Sequence, residues 1–157
     1  MFSINEIFEI AEQIERNGYS FYMRAAEIAK NEDSKKLLLE LAEMEKGHED
    51  LFITLKKELN LETPIDFNDL DNSALQYLQA MVEGKIFINL QPNDTVLVGN
   101  ESMEDVRKMA IEFEKNTVLY FVALQNATKD QGYKDKIQKL INEELGHIII
   151  LTEWEAK

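Results

Sequence analysis

Cysteine is absent from all 157 residues. That absence excludes disulfides, zinc–thiolate sites, iron–sulfur clusters and thiol nucleophiles. Any redox chemistry must therefore use a metal held by oxygen and nitrogen, or a bound organic cofactor. A Gly-rich phosphate loop for a nucleotide cofactor is missing too. Only two prolines and six glycines interrupt a chain that is 45% hydrophobic, a balance that favours a compact, mostly helical protein. Long apolar runs are lacking: the longest aliphatic stretch, Ile148 to Leu151, is far too short to span a bilayer, and no basic-then-apolar stretch marks a secretory signal. Positive charge is scarce, with 17 basic against 30 acidic residues and a net charge of −13. Such a surface repels phosphate backbones and anionic membranes. The sequence predicts one domain over 1–157, no nucleic-acid partner, no membrane and a cytoplasmic location.

Histidine is the scarcest titratable residue, and its placement carries the most information. The two histidines each follow a glutamate by three residues, in Glu45-x-x-His48 and Glu144-x-x-His147, and the two motifs differ by a fixed offset of 99. Glu15 and Glu114 differ by the same offset. Two Glu-x-x-His pairs with two single glutamates, each on its own helix, form the ligand set of a carboxylate-bridged dinuclear metal site in a four-helix bundle.

The offset runs through whole segments without a gap. Ser3 matches Ser102, Ala11 matches Ala110, Asn17 matches Asn116, Leu41 matches Leu140 and Gly47 matches Gly146. Residues 1–58 and 100–157 thus read as two copies of one unit. Each copy reads as a helical hairpin. Ser3-x-x-Glu6 and Ser102-x-x-Asp105 have the form of capping boxes. Apolar positions recur at helical spacing through Ile4, Ile7, Phe8, Ala11, Ile14, Gly18 and Phe21/Tyr22, and through Val106, Met109, Ala110, Phe113, Thr117 and Tyr120/Phe121. Polar clusters at 30–34 and 129–132 read as the turns. Second helices follow, one through Leu41, Met44, His48, Leu51 and Leu55, the other through Ile137, Leu140, Glu144, His147 and Leu151. The expected architecture is all-α: hairpin one over 1–58, a crossover over 59–101 and hairpin two over 102–157. Within the crossover, Asn72 to about Glu83 reads as a short helix. Gly84 to Gly99, with Ile86-Phe87-Ile88 and Thr95-Val96-Leu97-Val98, reads as extended or looped. So long a link suits a bundle in which one connection crosses its length.

Residues i and i+3 share a helix face one turn apart. Glu45 and His48 can therefore reach one point in the bundle interior, with Glu144 and His147 reaching it from the partner helix. Mixed oxygen and nitrogen donors suit iron or manganese, with zinc as an alternative. Four carboxylates also balance two divalent ions in charge. The bland alternative is a pair of solvated helix faces. Against it, each histidine falls in an apolar register, and Glu15 lies between Ala11, Gly18 and Tyr22 on the inward stripe.

Tyr22 lies two turns after Glu15 on the same face, where its hydroxyl could hydrogen-bond a ligand carboxylate or deliver a proton. Its counterpart in the second copy is Phe121, so the hydroxyl is not doubled. Tyr19 and Tyr120 lie nearer the stripe's edge and read as core packing; Trp154 reads as packing or interface. Glycine inside a helix costs roughly 1 kcal/mol against alanine. Gly47 and Gly146 therefore reflect either close helix approach or a local bulge, or inheritance from one duplicated unit.

The chain resembles the rubrerythrin-like branch of the ferritin-like superfamily. The segments that carry the resemblance are residues 11–22 (AEQIERNGYSFY), Glu45-Lys46-Gly47-His48, residues 110–115 (AIEFEK) and Glu144-Leu145-Gly146-His147. The resemblance implies carboxylate ligands at Glu15, Glu45, Glu114 and Glu144, imidazole ligands at His48 and His147, and two iron ions. It also implies an oxidoreductase that reduces hydrogen peroxide, or oxidises Fe(II), at that centre. Two departures stand out. Rubrerythrins proper carry a cysteine-ligated rubredoxin-like domain, so here electrons are expected from a separate donor protein. Rubrerythrins proper also place an additional carboxylate one turn from the third-helix ligand, where this chain has Ile111 and Thr117. Glu112 lies about 160° around the helix from Glu114 and is expected to face solvent. The second reading is a ferroxidase or iron-storage protein resembling bacterioferritin, with peroxide or dioxygen as oxidant in either case. A homodimer or other small homo-oligomer is expected.

Overall fold

The computed structural model of the chain describes residues 4–58, 73–85 and 97–157. Five helices occupy the described residues: α1 Ile4–Ile28, α2 Glu32–Glu58, α3 Ser73–Val82, α4 Met103–Ala127 and α5 Gln131–Glu153. Two hairpins, α1–α2 and α4–α5, pack side by side, as the internal duplication predicts. Ser3, and the stretch of the crossover holding Ile86-Phe87-Ile88 and Thr95-Val96, lie outside the described residues.

Both helix turns are shorter than the polar clusters suggested, for the same reason. Asn31 Oδ1 accepts from the backbone N–H of Asp33 at 2.8 Å and of Ser34 at 3.2 Å. Asp130 caps α5 likewise, accepting from Tyr133 N at 3.0 Å. A side-chain oxygen that satisfies free amides starts the helix directly behind it. Glu32, Asp33 and Ser34, and Gln131 with Gly132, thus belong to first helical turns. The Ser102–Asp105 capping box forms as expected, with both reciprocal hydrogen bonds present.

The core divides into two apolar clusters. One gathers Ile7, Phe8, Ile14, Phe52, Leu55, Tyr120, Phe121 and Ile141, with Leu75, Leu78 and Met81 of α3 packed onto it. The other gathers Phe21, Tyr22, Leu38, Leu41, Leu97, Val106, Ala110 and Leu151. Following each helix through the two clusters gives the topology. α1 and α5 run from the first cluster to the second, while α2 and α4 run the other way. The connection leaves α2 at the first cluster, carries α3 there, and delivers Leu97 to the second before α4 begins. The described parts of the connection thus lie at both clusters, and residues 86–96 of the expected crossover lie outside the described residues. Tyr120 packs in the core as its register suggests, fully buried, and its hydroxyl donates to the Ile7 carbonyl at 2.7 Å. Trp154 packs against the second cluster and donates to Ser34 Oγ at 3.1 Å. Met44 and Met109, read from the sequence as inward, are exposed. The inward stripe of α2 runs instead through Leu38, Leu41, Ala42, Glu45, His48, Phe52 and Leu55.

The interior glycines separate into two kinds. A Cβ built at Gly47 or Gly146 meets nothing within 4 Å, so neither glycine serves a close helix approach. A Cβ at Gly18 would lie 2.9 Å from the Phe113 ring and 3.2 Å from the carboxyl carbon of Glu45. Gly47→Ala and Gly146→Ala should each stabilise the protein by up to about 1 kcal/mol, the helix-propensity gain. Gly18→Ala should instead destabilise it by about 1–3 kcal/mol, because the ring or the carboxylate must move. Urea unfolding of the three variants checks this, and a stabilised Gly18→Ala protein would contradict it.

Candidate metal centre

Between the two apolar clusters each long helix turns a polar side chain inward. Glu15 comes from α1, Glu45 and His48 from α2, Glu114 from α4, Glu144 and His147 from α5. The four carboxylates and His147 are completely buried, and His48 nearly so. Helical spacing aligns each Glu-x-x-His pair, and the antiparallel hairpins bring the two pairs face to face. The imidazole rings stack at 5.8 Å between centroids, 14° from parallel.

The side chains resolve into two overlapping groups, each with ligand atoms within 4.8 Å of one another: Glu15, Glu45, His48 and Glu144, and Glu45, Glu114, Glu144 and His147. Glu45 and Glu144 belong to both. Each group thus holds one terminal carboxylate, one imidazole and the two shared carboxylates. The offset of 99 exchanges one group for the other, so the duplication in sequence becomes a two-fold relation within the site.

All six residues predicted as ligands converge here. His48 Nδ1 lies 2.6 Å from Glu144 Oε1 and 3.3 Å from Glu15 Oε2. His147 Nδ1 lies 3.0 Å from Glu144, 3.1 Å from Glu45 and 3.3 Å from Glu114. Tyr22 reaches the site as well, its hydroxyl donating to Glu114 Oε1 at 2.5 Å. Glu112 faces outward and pairs with Lys115 at 2.9 Å. Two other buried carboxylates lie outside the cluster and pair with cations: Lys56 lies 2.8 Å from Glu12, and Arg16 and Lys46 lie 3.0 and 2.8 Å from Glu49. Sequence reasoning missed Glu143, which meets His48 Nε2 at 2.7 Å across the α2–α5 interface.

Without a cation this arrangement is frustrated. Burial, reinforced by the charge of Glu144, pushes the carboxyl groups of Glu15 and Glu45 well above their usual range. Burial and Glu144 also raise Glu114, to about 7 despite its bond from His147. Glu144 goes the other way: burial would raise it, but His147 and His48 outweigh burial and hold it well below the carboxylate range. Burial opposes the charged imidazoles, yet the surrounding carboxylates raise His48 to about 9 and His147 to about 12. The signs then fix a pH dependence. Groups raised in the folded state stabilise it below their ordinary pKa and lose that contribution as pH rises through the folded value. For Glu114 the loss runs from 4.5 to about 7, and for His48 from 6.5 to about 9. Glu144 acts oppositely and matters only below 4.5. Metal-free protein should therefore melt at lower temperature at pH 9 than at pH 6, as read by calorimetry. A higher melting temperature at pH 9 would contradict this.

The donor set fits a pair of metal ions. Among the described residues, nine buried polar atoms of these six side chains make no hydrogen bond beyond the imidazole–carboxylate contacts already given. Buried polar atoms are rarely left so. Carboxylates clustered in an apolar core must take up protons or meet compensating positive charge, which two divalent cations would provide. The mixture of hard oxygens and borderline imidazole nitrogens suits iron or manganese.

Comparison with known proteins agrees with this geometry. The chain aligns with a ferritin-like diiron-carboxylate protein, so assigned, from Thermotoga maritima. The TM-score is 0.69 at 20% identity, covering 97% of this chain and 93% of the other. The fold is therefore ferritin-like. No curated protein matches the sequence. No described helix is long and apolar enough to cross a membrane. The family model for Rubrerythrin matches residues 6–154, the span that contains both hairpins and every side chain of the site: the chain belongs to the Rubrerythrin family.

Proposed function

We propose that the protein is a di-iron oxidoreductase that reduces hydrogen peroxide, taking electrons from a separate donor protein. The observation that carries this reading is the buried pair of four-ligand groups sharing Glu45 and Glu144. When bound, two ferrous ions supply the two electrons that convert hydrogen peroxide and two protons into two waters. The chain's own residues do the rest. Glu15 and Glu114 would each serve one ion, and Glu45 and Glu144, which belong to both groups, would serve both. The ligand side chains are buried, His48 nearly so, which limits the access of bulk water to the site. Burial and the charge of Glu114 raise the Tyr22 hydroxyl well above its usual pKa, so it stays protonated and donates to Glu114 Oε1. It thereby orients that ligand and holds a proton at the edge of the site.

The absence of cysteine supports an external electron donor, because no iron–sulfur or rubredoxin-type centre can form in this chain. A small homo-oligomer in the cytoplasm completes the proposal. The exposed Leu145 and Ile149 of α5 offer apolar surface for assembly. Rapid mixing tests the activity: the reduced, iron-loaded protein should be oxidised by peroxide at least about 10-fold faster than by dioxygen, with little mineral formed. Tyr22→Phe should slow the peroxide reaction by about 10- to 100-fold through loss of the bond to Glu114. Faster oxidation by dioxygen with a growing mineral core would favour a ferroxidase or storage role.

A further inference from the structure

The two halves of the centre are related by the duplication but are not equally supported. His48 turns Nδ1 toward the carboxylates and Nε2 toward Glu143, 2.7 Å away. Its ring is thus held from both sides. With Nε2 donating to Glu143, loss of the Nδ1 proton to an incoming ion would leave the Nδ1 lone pair facing the cluster. His147 also turns Nδ1 inward, yet its Nε2 is buried without a hydrogen-bond partner among the described residues. The residue equivalent to Glu143 in the first copy is Met44, whose thioether cannot replace a carboxylate as acceptor. The hydroxyl of Tyr22 adds to the imbalance, because it occupies a lone pair of Glu114 Oε1 in the His147 half.

We propose that Glu143 is a positioning residue for His48 and makes the two ion positions unequal. The position formed by Glu15, His48 and the shared carboxylates fills first and holds its ion more tightly. A carboxylate on the far nitrogen of a ligand imidazole fixes its tautomer and ring orientation and raises its basicity. The position formed by Glu114 and His147 lacks that support, so it fills second and exchanges faster. This inference rests on the metal-centre reading above, and its test does not depend on peroxide chemistry.

The test is an anaerobic titration of the chelator-stripped, full-length protein with Co(II), followed by visible absorption and calorimetry. Two binding steps are expected, separated by at least about 10-fold in affinity. Glu143→Ala should weaken the tighter step by about 10- to 100-fold and leave the other unmoved. Glu143→Gln, which keeps an acceptor oxygen but loses the charge, should fall between. Met44→Glu, which gives the His147 half the missing carboxylate, should tighten the weaker step. Crystals grown with one equivalent of Co(II) should show anomalous signal among Glu15, Glu45, His48 and Glu144. Glu143 is partly exposed, and an unchanged metal-free melting temperature will show that its variants fold. Equal affinities in the unsubstituted protein would overturn the inference alone, as would a Glu143→Ala effect on both steps or on neither. Failure to bind Co(II) at all would overturn the inference and the metal centre together.

Discussion

Glu144→Ala is expected to remove both metal ions, whereas Glu15→Ala should remove one. Glu144 contributes to both four-ligand groups, as does Glu45, while Glu15 and Glu114 each serve a single group. Loss of a shared carboxylate leaves each position with two other carboxylates at most, one imidazole and no complete bridge. Loss of a terminal carboxylate leaves the other position with all four of its ligands. Metal bound per chain, measured after anaerobic loading and gel filtration, should fall from about two to near zero for Glu45→Ala and Glu144→Ala. It should fall to about one for Glu15→Ala and Glu114→Ala. Equal losses from all four substitutions would show that the carboxylates are not divided into shared and terminal ligands.

Metal loading should raise the melting temperature by a large amount. The metal-free interior holds mutually repelling carboxylates whose charge only two imidazoles offset among the described residues, and the unfolded chain has no assembled site. Binding to the native state alone contributes about 4 kcal/mol per ion at a thousandfold excess over Kd. For a chain of this size, each kcal/mol is worth about 2–4 °C. One ion should thus raise the melting temperature by about 8–16 °C, and the second should add to it. The shift should grow from pH 6 to pH 8, because bound ligands must shed the protons that the metal-free site retains. Differential scanning calorimetry with anaerobic Fe(II) or Mn(II) reads it directly; no shift with either ion would count against the site. Glu144→Ala should abolish most of the shift.

The ligand set was legible in the sequence because helix geometry is local. Three residues separate Glu45 from His48, one turn of one face, and the second copy repeats the pattern at a fixed offset. Contacts between helices were legible only in part: Tyr22 pointed to a ligand carboxylate and meets Glu114, whereas Glu143 did not stand out. Glu143 meets His48 across the α2–α5 interface, and no periodicity within α5 marks it. The available signal was a mismatch, glutamate in one copy against methionine at position 44 in the other. Gly18 and Gly47 look alike as helical glycines. Only the approach of Phe113 and Glu45 to the first, and open space beside the second, tells them apart. The turns are shorter than their polar composition suggests for a different reason. Asn31 and Asp130 cap the following helices, so polar residues behind them are helical although their composition resembles a loop.

The most direct test of the account is the anomalous diffraction of crystals loaded with Fe(II) under anaerobic conditions and recorded at the iron edge. Two peaks are predicted per chain, one among Glu15, Glu45, His48 and Glu144 and the other among Glu45, Glu114, Glu144 and His147, with Glu45 and Glu144 reaching both. A single peak, or iron bound only outside these six side chains, would contradict it.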